Sequence, residues 1–395
     1  MRYLFVLLAA LLAACGEEQP VKSTTQLAPD ALKAHSELFH KGVEKVTDGV
    51  YVAIGYGLAN SIMLEGDDGI IIVDTMESAD EARTVLAEFR KITDKPVKAI
   101  IYTHNHTDHV FGAAGSAEGK DIPVYAHEST SYYINRVVNQ IRPIITARSM
   151  RMFGNHLPHG EHINDGIGPH LGITPESELY ALPPTHTFDD RMSVNIAGIQ
   201  IELVHAPGET EDQLFVWLPE KQTVLTGDNI YQTFPNLYTI RGTYYRGVKQ
   251  WANSLDQIRA LGAEHLVPSH TRPLSGRERI RATLTDYRDA SQYVHDQTLR
   301  YMNKGLTPDQ IVERVHLPPH LAESPWLQEF YGKVSWSVRS VFDGYLGWFD
   351  GNPSTLQPLP IKQQAQHMAE LAGGEQALAD KAKAALEPGS SPPRT

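Results

Sequence analysis

The run Val97-Lys98-Ala99-Ile100-Ile101-Tyr102-Thr103-His104-Asn105-His106-Thr107-Asp108-His109 decides how the rest of the chain is read. Its first half is short and mostly apolar, the pattern of a buried strand. Its second half places three imidazoles and a carboxylate within the six residues from His104 to His109. Neutral imidazole is a preferred zinc ligand, and a carboxylate suits the second position of a dinuclear site. Further polar clusters follow other apolar runs, at His205–Thr210, Thr226–Asn229 and Val267–His270. A solvated loop with scattered histidines would not need them.

Upstream, Val50–Ile54, Asn60–Glu65 and Ile70–Val73 read as strands, with a turn at Gly66–Gly69 and Asp74 at the third strand's end. Ala79 to Ile92 has helical periodicity. This β-β-β-α-β order predicts an α/β fold, sheets covered by helices. Downstream, residues 125–190 form a long insertion whose Gly-, His- and Pro-rich centre, Gly154 to Gly172, reads as an irregular loop. Strands are expected at Ile196–His205, Phe215–Leu218, Thr223–Thr226 and His265–Ser269, and a helix over 248–262. From Arg277 to about Trp348 the pattern is helical, and 361–386 is helical with a break at Gly373-Gly374. The expected organisation is a catalytic domain over 42–276, a helical extension over 277–386 and a disordered tail over 387–395.

The first residues read as a leader. Met1-Arg2 carries one positive charge, and the apolar run Leu4 to Ala14 is too short to cross a bilayer. It ends in Leu12-Ala13-Ala14-Cys15-Gly16, which resembles a bacterial lipobox. That resemblance implies a signal peptide over 1–15, lipidation of Cys15, a polar tether over 16–41 and a periplasm-facing, membrane-anchored protein of the bacterial envelope. Gly16, in place of an inner-membrane-retaining Asp, points to the outer membrane. Cys15 is the sole cysteine, so the mature body holds no disulfide. The net charge of −12 and the lack of a Lys/Arg block argue against nucleic acid as a partner. An anionic substrate would have to be attracted by metals and local cations.

His104-Asn105-His106-Thr107-Asp108-His109 matches H-x-H-x-D-H, the metal signature of the metallo-β-lactamase superfamily. His205-Ala206-Pro207-Gly208-Glu209-Thr210 resembles its H-T-P-G-H-T segment with Glu209 in place of the ligand His. Thr226-Gly227-Asp228-Asn229 resembles the T-G-D segment with the bridging Asp, and Val267-Pro268-Ser269-His270 the last ligand segment. The resemblance implies an αββα sandwich with a C-terminal helical extension. It implies one zinc on His104, His106 and Glu209, a second on Asp108, His109 and His270, and Asp228 bridging them. The mixed imidazole and carboxylate set also permits iron or manganese. Asp74 reads either as a group orienting a ligand His or as a strand-end turn residue.

Glutamate at the third ligand position is similar to the zinc alkylsulfatases. So are Met152-Phe153-Gly154-Asn155 with its Gly-rich sequel, Leu237-Tyr238-Thr239-Ile240-Arg241-Gly242, Phe330-Tyr331-Gly332, and Gly344 to Pro353. That resemblance, over about residues 35 to 385, implies sulfate binding by Arg241 and hydrolysis of alkyl sulfate esters to alcohol and sulfate by a metal-bridging hydroxide. Asn155 is a candidate donor to the ester and Arg246 a second candidate for the anion. There are departures. The family has Glu where Asp228 stands. Its ligand Glu follows Pro-Gly-Thr, which would select Glu211, whereas counting back from the strand ending at Pro219 selects Glu209. Its long members continue into further domains beyond the helical part in which this sequence stops. The residual helices suggest a homodimer. Histidines 156, 159, 162 and 170 are read as lining a polar loop rather than a further metal site. Competing readings are a phosphoesterase, lactonase or β-lactamase on the same scaffold, and a non-catalytic, metal-dependent envelope binding protein.

Overall fold

The computed structural model describes residues 29–386 except Lys120 and His159. The leader, Cys15, the first part of the expected tether and the tail from 387 lie outside the described residues. Among those described, two sheets form. The first has the order β1 to β7: Gly42–Thr47, Val50–Ile54, Ser61–Glu65, Ile70–Val73, Val97–Ile101, Val124–His127 and His186–Phe188. The second runs β13-β12-β11-β10-β9-β8, with β8 Arg191–Ile196, β9 Ile199–His205, β10 Leu214–Leu218, β11 Thr223–Gly227, β12 His265–Pro268 and β13 Leu274–Ser275. β4 to β7 are parallel to one another, and β11 is parallel to β12.

Three apolar layers hold these sheets. Between them lie Val52, Ile62, Ile71, Val73 and Ile101 from one sheet and Ile201, Leu203, Val216, Leu225 and Val267 from the other. On the outer face of the first sheet, helix α2 (Ala79–Phe89) buries Ala82, Val85, Leu86 and Phe89 against Met63, Ile70, Ile72 and Ile100. Its start is fixed by Ser78, whose side chain accepts the Glu81 amide. On the outer face of the second sheet, α5 (Val248–Ala260) and α6 (Arg277–Met302) pack Trp251, Leu255, Ile258, Leu284 and Tyr287 against Phe215, Val224 and Leu266. The order is helix, sheet, sheet, helix, the αββα sandwich expected. β4 is buried on both faces, which is why it reads as a continuous apolar run rather than an alternating one.

Several expectations change. The tether was expected to reach residue 41, but α1 (Pro29–His35) and a 3-10 turn (Ser36–Phe39) are ordered. His35 stacks on Phe330 at 4.3 Å between ring centroids, and its Nε2 donates to the Gly166 carbonyl at 2.7 Å. Those contacts come from distant segments and leave no periodic signal. The strand expected over 196–205 begins at Ile199, because Ala197 and Gly198 form a positive-φ turn that pairs it with β8. The insertion expected over 125–190 is narrower. Its first residues form β6, its last form β7 and the turn into β8, and between them lie a short helix (Thr130–Asn135) and α4 (Arg142–Met152), while α3 (Thr107–Val110) precedes β6 outside the insertion. Only the part from Phe153 to Thr185 is irregular among the described residues.

The described residues up to Gly351 form one compact unit, closed by α7 (Val334–Leu346), which buries Val334, Val338, Val341 and Phe342 in the outer layer. The described residues from Asn352 belong to a second unit. In it α8 (Ile361–Ala372) and α9 (Glu375–Leu386) pack on each other around left-handed Gly373.

Candidate metal centre

The site is assembled at strand ends. β5 delivers His104 and the loop that places His106, and α3 carries Asp108 and His109. The loop after β9 supplies Glu209, Asp228 directly follows β11, and His270 lies just beyond β12. Gly227 has φ +54, and a Cβ there would stand 2.0 Å from Gln213 Nε2 and 2.9 Å from the Thr103 side chain, so a glycine is needed to swing Asp228 into place.

Two groups of donors meet here. His104, His106 and Asp228 form one, and Asp108, His109 and His270 the other, each with its ligand atoms within 4.8 Å of one another. His104 Nε2 lies 2.9 Å from His106 Nδ1 and 3.6 Å from Asp228 Oδ2. His109 Nε2 and His270 Nε2 each lie 3.4 Å from Asp108 Oδ2, and 3.5 and 3.2 Å from Asp228 Oδ2. Asp228 therefore stands between the groups. Glu209, 2% exposed, belongs to neither group and pairs instead with Arg246 at 2.6 Å, whereas Glu211 is exposed.

Electrostatics prepare these groups for a cation. Burial holds His104 at about 4, with His109 adding to the effect, so the imidazole is neutral. Burial also keeps His106 neutral, reinforced by the Arg241 guanidinium. At Asp228 burial alone would raise the carboxyl, but His270, His109 and His104 outweigh it and keep the group ionised. The fit to metal shows in what is left unpaired. His109 Nε2, His270 Nε2, Asp228 Oδ1 and Glu209 Oε2 are all buried without a hydrogen-bond partner. Orphaned buried atoms of this kind are rare, and these are the atoms that metal ligation would satisfy.

The backs of the ligands are held. Asp74, fully buried with φ +59, accepts from Thr103 N at 2.9 Å and Ser269 Oγ at 2.7 Å. Its Oδ2 is 2.8 Å from His109 Nδ1. That fixes the imidazole so that Nε2 faces the site and decides Asp74 as a group that orients a histidine. His270 Nδ1 donates to Leu58 O at 3.0 Å. Asp212, which carries no motif, takes Asn105 Nδ2 at 2.6 Å and Thr130 Oγ1 at 2.8 Å and ties down the His104–His106 loop.

The cations divide into two roles. Arg246, 3% exposed, donates from Nη1 to Glu209 Oε1 at 2.6 Å and to Asn236 O at 2.5 Å. Its Nε and Nη2 are buried without partners. Arg241 is half-buried, with Nη2 2.9 Å from His106 Nε2. Its backbone is held from outside, since Arg148 donates to the carbonyls of Arg241 and Ile240. Asn155 is engaged in its own loop, donating to Leu171 O at 3.2 Å, with its Oδ1 buried and unpartnered. Tyr231 and Tyr331, not singled out from sequence, flank the site, with Tyr231 6.0 Å from both the His270 and Tyr331 rings.

Comparison with known proteins follows the same line. The sequence model of the Metallo-beta-lactamase superfamily matches residues 54–270. The chain belongs to the metallo-β-lactamase superfamily. A second family description, Alkyl sulfatase dimerisation, matches residues 307–391 of this superfamily member. A linear primary-alkylsulfatase of Pseudomonas sp. (strain ATCC 19151) is 43% identical over 324 residues, 79% of this chain and 60% of that protein. Another, from Pseudomonas sp., is 32% identical over 91% of this chain and 55% of its own length. The solved structure of the stereoselective inverting sec-alkylsulfatase Pisa1 from Pseudomonas sp. superposes with a TM-score of 0.85 at 27% identity, covering 90% of this chain and 58% of that one. The chain thus spans 55–60% of the length of these curated relatives.

Proposed function

We propose that this protein hydrolyses alkyl sulfate esters to alcohol and sulfate at a dinuclear metal centre. The observation that carries the reading is a buried, unpaired donor set with a guanidinium, Arg241, at its edge. The likeness to alkylsulfatases supports the substrate class. His104, His106 and Glu209 would hold one cation, Asp108, His109 and His270 the other, and Asp228 would bridge them. Zinc suits this set best, and iron or manganese is compatible with it. Bound there, the cations supply water activated to hydroxide near neutral pH and positive charge for a sulfate oxygen.

The chain's own residues do the rest. His106 using its Nδ1 lone pair for ligation carries its proton on Nε2, which then accepts nothing. The Arg241 Nη2–H that rests there is thereby released for a sulfate oxygen, and its planar fork matches the anion. Burial raises the Glu209 carboxyl and the Arg246 guanidinium pulls against that rise, while its Nε and Nη2 donors stay in reserve for anionic oxygen. Asn155 Nδ2 gives one N–H to Leu171 O and has a second N–H to offer the ester.

The test is sulfate release from dodecyl sulfate by zinc-loaded protein, beside a phosphate monoester and nitrocefin. Preferred sulfate release supports the proposal. Faster turnover of the phosphate ester or of nitrocefin would replace it with one of the rival hydrolases, and no turnover at all by protein holding two metals would favour a binding role.

Two further readings belong here. A homodimer is supported by the dimerisation match and by the exposed apolar side chains Ile361, Met368 and Leu371 of α8. Anchoring at the cell envelope through lipidated Cys15 rests on the Leu12–Cys15 motif alone. Radiolabelled palmitate should enter the wild-type protein expressed in bacteria but not Cys15→Ser, and equal labelling would end that reading.

A further inference from the structure

The insertion holds a third cluster of donors. His162, Asp165 and His170 bring one ligand atom each within 4.8 Å of one another. His162 Nε2 is 2.8 Å from Asp165 Oδ1, and His170 Nδ1 is 3.8 Å from Asp165 Oδ2. The two rings sit 4.7 Å apart at 64°. In a tetrahedral zinc site, bonds of about 2.0–2.2 Å place neighbouring donor atoms roughly 3.3 Å apart. The observed separations bracket that value, so small side-chain shifts would complete three ligands.

The surroundings are built for this. The Asp165 side chain is 5% exposed, yet its described partners are the two imidazoles and the Leu171 amide, with no Lys or Arg among them. Burial pushes its carboxyl up to about 6 against the pull of His162 and the Leu171 amide. His170 Nδ1 is buried without a hydrogen-bond partner and faces the carboxylate. Gly154 has φ +67, and a Cβ there would meet the His162 ring at 2.7 Å, so the loop is shaped to seat that imidazole. His162 and His170 remain 21% and 43% exposed, which leaves a side open for water or a fourth ligand.

We propose that His162, Asp165 and His170 bind a third divalent cation, zinc by the chemistry of two imidazoles and a carboxylate, which locks the irregular insertion loop. Nothing else in the loop does that job by regular structure, since Phe153 to Thr185 holds no helix or strand among the described residues. Structureless stretches of this length are uncommon in compact domains. Asn155 donates to Leu171 O within the loop, and the loop is tied toward the metal centre by Gly172 N, which donates to Glu77 Oε1 at 3.3 Å, the oxygen that also accepts Leu58 N. Leu58 O in turn holds His270. The third cation therefore acts as a positioning element for the loop carrying Asn155, with no part in the chemistry itself.

The experiment titrates zinc chloride into the metal-free full-length protein, wild type and His162→Gln/His170→Gln, by calorimetry and by metal analysis after gel filtration. The wild type is expected to hold one equivalent more than the double variant, and zinc is expected to protect residues 154–172 from proteolysis in the wild type alone. Asp165→Asn, nearly isosteric, serves as the second variant, with zinc affinity at this site expected to fall at least tenfold. Equal zinc stoichiometry in wild type and in folded variants, or equal protection of the loop, would overturn the proposal. His104→Ala is the control that separates the sites, because it should lower the count while leaving loop protection intact.

Discussion

At the scale of single residues, the metal centre is a set of charges held in place by their neighbours. Asp74 binds His109 Nδ1, Thr103 and Ser269 together in a fully buried position. Asp74→Ala should weaken metal binding roughly 10- to 100-fold through the loss of an orienting partner, measured by competition with a chelator. Arg246→Met should destabilise the metal-free protein by about 3–5 kcal/mol, because Glu209 would be left buried and unpaired. Adding Glu209→Gln should restore most of that loss in denaturant melts, and no recovery would argue against the pair. Glu77 offers a pH test. Burial, with Glu81 second, pushes its carboxyl up to about 8 from an ordinary 4.5. The folded chain then holds a proton that the unfolded chain releases, so this group's contribution to stability falls as pH rises from about 4.5 to about 8. In the metal-free protein Glu77→Gln should match the wild type near about pH 5 and exceed it near about pH 9 in melting temperature. Parallel curves would contradict this. The seven ligand candidates could be named because the segments that hold them resemble the metal-binding segments of the superfamily, each beside an apolar strand pattern. Asp212, Tyr231 and Glu77 were not, since what gives them a role is contact with segments up to 107 positions away, as between Asn105 and Asp212.

At the scale of elements, the strands set the geometry. β4, β5, β11 and β12 end on one side of the sandwich, and each end carries a site residue. Buried strands such as β4 and β5 could be read from composition. β7, β13 and the break at Ala197-Gly198 could not, because two- and three-residue strands carry no periodicity and a positive-φ Ala is not a turn signal. The ordered α1 was hidden for a different reason. Its anchor, His35, bonds to Gly166 and stacks on Phe330, both more than 100 positions on. His35→Ala removes both the Gly166 bond and the stack on Phe330. It should speed proteolysis within 154–172 several-fold while leaving far-UV circular dichroism unchanged. An unchanged cleavage rate would show that α1 does not brace the insertion.

At the scale of the molecule, the sandwich supplies rigidity and the extension supplies contact surface. Leu371 and Ile361 of α8 are 84% and 86% exposed. Apolar side chains so placed mark an interaction surface, which the proposed homodimer would cover. Ile361→Asp with Leu371→Asp should convert a dimer to a monomer in sedimentation, with the αββα unit still folded. The central claim concerns Arg241 and the sulfate ester, and its most direct measurement is steady-state sulfate release from dodecyl sulfate by wild type and Arg241→Ala carrying equal metal. The account predicts clear turnover in the wild type and a loss of about 10²- to 10³-fold in kcat/KM in the variant. A variant as fast as the wild type would contradict it.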